Sequence, residues 1–105
     1  MWDLLEESEP SLHTARWVRV PSGIRSKEKL LGIFAKQLQF PGYFGWNWDA
    51  FEECLRDLSW LPDQQLIVVV HESLPFGETE NRETYLAILR NWRANSKREV
   101  RLCLR

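Results

Sequence analysis

The chain has 105 residues, 44% hydrophobic and 28% charged, with a formal net charge of −1. That length suits one domain with a single core, and the near-neutral balance argues against holding nucleic acid by bulk charge. Two cysteines, Cys54 and Cys103, are too few for a disulfide framework.

The start, Met1 to Pro10, is acidic where an export signal would be basic, and the longest aliphatic run, Leu66 to Val70, is too short to span a bilayer. The expected compartment is the cytoplasm, with no membrane contact. Charge is unevenly spread. Between Phe40 and Glu83 nine acids face two bases, whereas Arg90 to Arg105 holds six bases and one acid, Glu99. Such asymmetry steers association with a charged partner.

Residues 1–14 lack periodicity and are expected to form an extension, either loose or packed on the domain through Trp2, Leu4 and Leu5. The domain proper is expected over 15–105. Ala15–Val20 interleaves apolar and charged residues and reads as a strand, ended by Pro21-Ser-Gly23. Ser26 is a candidate N-cap with Glu28 in the first turn. Leu30, Leu31, Phe34 and Leu38 recur at helical spacing up to the break at Pro41-Gly42.

Asn47 is the next candidate cap, starting a helix from Trp48 to about Leu58. Gln65–His71 is a β-branched run without alternation, the mark of a central strand buried on both faces. The stretch from Ser73 to Gly77 is irregular, with room for a short helical turn. Thr79 caps a third helix reaching about Asn95, with Tyr85, Leu86, Ile88, Leu89 and Trp92 on its apolar side. Glu99–Leu104 alternates and closes the chain as a strand. Strands joined through helices run parallel with right-handed crossovers. The expected fold class is therefore α/β in two layers: a three-stranded parallel sheet in order 1-2-3, helices on one face.

The second helix carries the chemistry. At 100° per residue, Trp48, Phe51, Cys54, Leu55 and Leu58 fall in one arc, and Asp49, Glu52, Glu53, Arg56 and Asp57 in the opposite one. Asp49–Glu53 and Glu53–Asp57 are like-charge pairs at i, i+4, and Glu52–Arg56 is the one favourable pair. A row of acids without internal compensation suits a partner's Lys or Arg. Tyr43, Phe44, Trp46 and Trp48 crowd the preceding loop between Gly42 and Gly45, in the manner of an interface anchor beside polar contacts. Trp48 is expected in the core, Tyr43 and Phe44 at the surface.

The segment Phe40-Pro-Gly-Tyr-Phe-Gly-Trp-Asn-Trp-Asp-Ala-Phe-Glu-Glu-Cys-Leu55 resembles the signature of the barstar family of ribonuclease inhibitors, and the order of elements follows that family over Ala15 to Leu104. The resemblance implies an immunity protein that plugs the active-site cleft of a basic secreted ribonuclease, its helix carboxylates standing where RNA phosphates would lie. It implies that Asp49 and Glu53 meet basic groups of the cleft and that Tyr43, Phe44, Gly45 and Asn47 shape the adjoining contact, with Glu52 and Arg56 on the same face. A further family carboxylate would fall near Asn91 or Trp92, neither of them acidic. The implied protein is a monomer when free, needs no cofactor or metal, and is not an enzyme.

Enzyme readings have less behind them. Asp49 and Glu53 sit on an exposed face without a pocket for acid–base work. Asp49, Glu53 and His71 match no metal-ligand spacing, and Cys54, a nucleophile only beside His71 or His13, lies in the apolar arc. The alternative binding reading is RNA or another protein held by the basic C-terminal third, through Arg90, Arg93, Lys97, Arg98 and Arg101, with Trp92 stacking.

Overall fold

The structure, a computed structural model, describes residues 2–6 and 8–105, so Met1 and Glu7 of the expected extension lie outside it. The described residues form three strands, β1 (Arg16–Val20), β2 (Ile67–His71) and β3 (Val100–Leu104), and three helices, α1 (Lys27–Gln37), α2 (Trp48–Asp57) and α3 (Glu80–Asn95), with α1 and α2 between the first two strands and α3 between the last two. The sheet is parallel throughout in the order β1-β2-β3. The α/β architecture expected from the sequence is what the chain adopts. The stretch from Ser73 to Gly77 forms turns and bends, not helix.

Local chemistry sets the boundaries. The Ser26 hydroxyl accepts from the Lys29 amide, the Asn47 side chain from Ala50 and the Thr79 hydroxyl from Arg82, so each helix begins at a residue that satisfies one of its orphan amides. At the far end of α1, Gln39 turns left-handed (φ +57°) and the Phe40 amide reaches back to the Ala35 carbonyl. This closing turn satisfies a terminal carbonyl of the helix. The Trp60 indole N–H donates to the next free one, Leu38, at 2.8 Å.

Every residue of β2 is buried, which accounts for its unbroken apolar run. Val18, Val20, Ile67, Val69, Val100 and Leu102 face the helices and pack with Leu30, Phe34, Phe51, Tyr85 and Leu89. Rings dominate this layer. Phe34 meets Phe51 edge-on at 5.0 Å, and Tyr85 touches Phe34, Phe51, Phe76 and His71. His71 is fully buried. Its Nδ1 lies 3.0 Å from the Cys103 carbonyl and its Nε2 2.7 Å from the Tyr85 hydroxyl. A carbonyl only accepts, so Nδ1 carries the proton and Nε2 accepts from Tyr85. Burial holds the imidazole below its ordinary value, partly offset by the Cys103 bond, and pushes the Tyr85 hydroxyl well above its own.

The opposite face of the sheet is closed by the first residues of the chain. Leu12, in a 3-10 turn at Pro10–His13, packs with Leu66, Val68, Val70 and Cys103, and Leu5 and Trp17 lie over the same cluster. Leu4, expected to help, is 86% exposed. Trp2 reaches round to the helix side and meets the His71 ring at 5.3 Å. Asp3 seals the free edge of β3: its amide donates to the Leu102 carbonyl at 2.7 Å, while its carboxylate accepts from the Leu102 amide and the Arg93 guanidinium, both at 2.8 Å. Glu9 takes Arg101 of β3 through both carboxylate oxygens. The other edge is sealed by a side chain. The Gln37 amide group accepts from the Arg19 amide at 2.9 Å and donates to the Arg19 carbonyl at 3.1 Å, as a neighbouring strand would.

Candidate protein-binding face

Helix α2 is held from below and bare above. Phe51, Cys54 and Leu55 are buried, as is Leu58, which ends the helix in a left-handed turn at φ +45°. Trp48 is half-buried against the core, and its indole N–H donates to Asn81 of α3 at 3.4 Å, tying together the N-terminal ends of the two helices. On the other side Asp49, Glu53, Arg56 and Asp57 are exposed and Glu52 is half-buried. No salt bridge within the described residues engages Asp49 or Glu53. The two carboxylates stand one turn apart, about 6 Å along the axis, aimed by a helix whose other side is packed.

The loop in front of α2 corrects one expectation. Phe44 is buried, 6% exposed, and Trp46 is the ring that emerges, 50% exposed beside Tyr43 at 78%. The Phe44 amide donates to the Pro41 carbonyl at 3.0 Å, and that turn folds the Phe44 ring inward against Phe40 at 5.0 Å. Trp46 takes a left-handed backbone, φ +56°, which turns the next side chain outward. Hydrophobicity cannot separate two rings two residues apart; the turn decides. Gly45 has a structural role of its own. A Cβ there would lie 3.3 Å from the Asn47 side-chain nitrogen, which donates to the Gly45 carbonyl while its oxygen caps α2. Gly45 and Asn47 thus fix where α2 begins and where Asp49 points.

At the other end of α2 a groove of about 860 Å³ runs between Arg56, Asp57, Asn91 and Asn95, floored by Trp92 and Arg98. Asn91, one of two positions expected near a family carboxylate, is exposed, and Trp92 is buried. Trp92 is therefore core and presents no face for a base to stack on. Three bases of the C-terminal third are engaged internally. Arg93 binds Asp3, Arg101 binds Glu9 and Glu99, and Arg98 donates to the carbonyls of Leu58, Pro62 and Gln65. The basic stretch counted in the sequence is largely a set of internal clamps.

Cys54 is buried, and burial, followed by the nearby Asp57 and Glu53 charges, pushes its thiol up, away from a nucleophile's range. The described residues contain no group of three or more His, Cys, Asp or Glu arranged to hold a metal, and no helix among them is long and apolar enough to cross a membrane.

A three-stranded parallel sheet under helices, with one helix fixed to present carboxylates near exposed rings, is the build of a small two-layer α/β domain. Comparison with known families matches residues 17–105 to the Barstar family, described as barstar (barnase inhibitor), and the chain belongs to that family. No curated protein matches it.

Proposed function

We propose that this chain is a proteinaceous inhibitor of a basic microbial ribonuclease, an immunity protein that covers the nuclease active site with the outer face of α2. Family membership supports the class of partner. The observation that carries the site is the pair Asp49 and Glu53, both exposed and one turn apart on a helix immobilised from behind. Two such carboxylates reproduce the charge and spacing of a phosphate backbone for a cleft built to bind RNA. Tyr43 supplies an adjoining apolar contact. Phe44 supports it from beneath, and Gly45 and Asn47 hold the register. Glu52 and Arg56 make the far end of the face mixed in charge, which restricts the partners that fit. Direct RNA binding through the C-terminal third is the weaker reading, because Arg93, Arg98 and Arg101 are occupied. The protein acts in the cytoplasm as a monomer until it meets its target, without cofactor or metal.

The test is inhibition of RNA hydrolysis by a panel of purified basic microbial ribonucleases, barnase included. At least one is expected to be inhibited at one-to-one stoichiometry. Asp49→Ala and Glu53→Ala should each weaken that complex about 30-fold or more, the effect of leaving a buried cation of the partner unpaired. Each should change the stability of the free protein by at most about 1 kcal/mol, since Asp49 does no more than favour the helix dipole and Glu53 stands between two like charges. Inhibition of no ribonuclease, or full affinity in both variants, would overturn the proposal.

A further inference from the structure

Five non-glycine residues among those described have a left-handed backbone: Gln39, Trp46, Leu58, Gln64 and Phe76. Gln39 and Leu58 terminate helices, Phe76 is buried in the core and Gln64 lies in a polar loop. Trp46 alone combines this conformation with a large ring half in solvent. A branched-ring side chain at positive φ is disfavoured, and the conformation suits Gly or Asn far better. Packing in the free fold accounts for only half of a tryptophan here. The indole rests on the Phe44 ring at 5.2 Å and over Gly32 of α1, where a Cβ would lie 3.6 Å from it, yet half of its surface stays uncovered. Residues with unfavourable backbone geometry cluster at functional contacts.

The backbone that carries the ring is also held. Asn47 accepts from Ala50 on one side and donates to Gly45 on the other, so both neighbours of Trp46 are tied to one side chain. Asp49 follows three residues later, at most about 10 Å along the chain. A half-exposed ring in the loop that leads into Asp49 and Glu53, neither of them in a salt bridge among the described residues, is suited to a cation: the acids attract it through charge, the ring through its quadrupole.

We propose that Trp46 is a specificity-determining contact for the ribonuclease, stacking its uncovered indole face on an arginine guanidinium or histidine imidazolium at the rim of the cleft that Asp49 and Glu53 enter. The inference rests on the inhibitor reading. Trp46 decides among basic nucleases by asking for a planar cation at one place, where the carboxylates ask only for positive charge.

The test uses the ribonuclease from the panel that the full chain inhibits most tightly. Trp46→Gly and Trp46→Asn retain the left-handed backbone and remove only the ring. Each is expected to weaken the complex about tenfold or more, as loss of a desolvated aromatic anchor does, with the thermal midpoint of the free protein near that of the parent. Trp46→Tyr, which keeps a π face, should recover much of the affinity. Dissociation constants within about twofold of the parent for both Gly and Asn variants, alongside weakened Asp49→Ala and Glu53→Ala complexes, would overturn the role of Trp46 and leave the inhibitor reading standing. Unchanged affinity in all four, or inhibition of no ribonuclease, would overturn both.

Discussion

The two faces of the sheet are covered in different ways. On one side three helices and their connecting loops bring a layer of rings and branched chains, with Phe34, Phe51 and Tyr85 fully buried. On the other, a short strap contributes Leu5 and Leu12 and relies on its ends: Asp3 on the β3 backbone and Arg93, Glu9 on Arg101. The helix side is stable through buried area, which is non-directional and tolerant of small shifts. The strap side depends on a few directed bonds over a thin apolar cover. The face assigned to partner binding sits on the thicker side, where a helix can be pinned and still spare one flank.

Mutation can break this contrast or sharpen it. Phe51→Ala, at the centre of the ring cluster and beneath Asp49, should cost about 4 kcal/mol by denaturant titration, because aromatic-to-alanine changes in a packed core leave a cavity. Leu12→Ala on the strap should cost about 2 kcal/mol, the low end for a buried leucine, since the strap can settle into the space. Equal losses would mean that the strap is as firmly packed as the helices.

Acid should separate the faces as well. His71 and Glu9 both have folded-state values held below their ordinary 6.5 and 4.5, His71 by burial and Glu9 by its bonds to Arg101. For both, the unfolded chain binds more protons in the window between the two values, so stability rises with pH across it. The helix side should lose stability as pH falls below about 6.5, and the strap side only below about 4.5. Thermal midpoints measured against pH should therefore decline in two stages, and Glu9→Gln should flatten the lower one. A single decline that Glu9→Gln leaves unaltered would contradict the assignment. The smallest expected effect is at the β1 edge. Gln37→Ala removes two exposed bonds to Arg19 and should cost under about 1 kcal/mol, but it should raise the tendency to self-associate at high concentration, because the edge is then open.

What the sequence revealed follows the same division. Ser26, Asn47 and Thr79 were legible as caps because an acceptor side chain before an apolar period has a local meaning. β2 was legible because only a strand buried on both faces carries such a run. The outer arc of α2 followed from its inner arc. The strap was legible only in part: packing through Trp2 and Leu5 was one of two expectations, but Asp3 and Glu9 act through residues more than ninety positions away, and no local period records that. Arg93, Arg98 and Arg101 looked like a solvent-facing charge cluster for the same reason. Phe44, expected at the surface, is buried because a backbone turn, not ring chemistry, sets which ring faces water.

The strap has a consequence for the order in which the molecule assembles. Asp3 and Glu9 are made before every strand and helix of the fold, yet their partners, Leu102 and Arg101, are almost the last of the fold to be made. Throughout synthesis the strap has no β3 to bind, and the apolar underside of β2 has no lasting cover. Docking the strap is thus a late event that joins distant parts of the chain, which slows folding. Until it happens, the nascent chain offers Val68 and Val70 to chaperones or to other nascent chains.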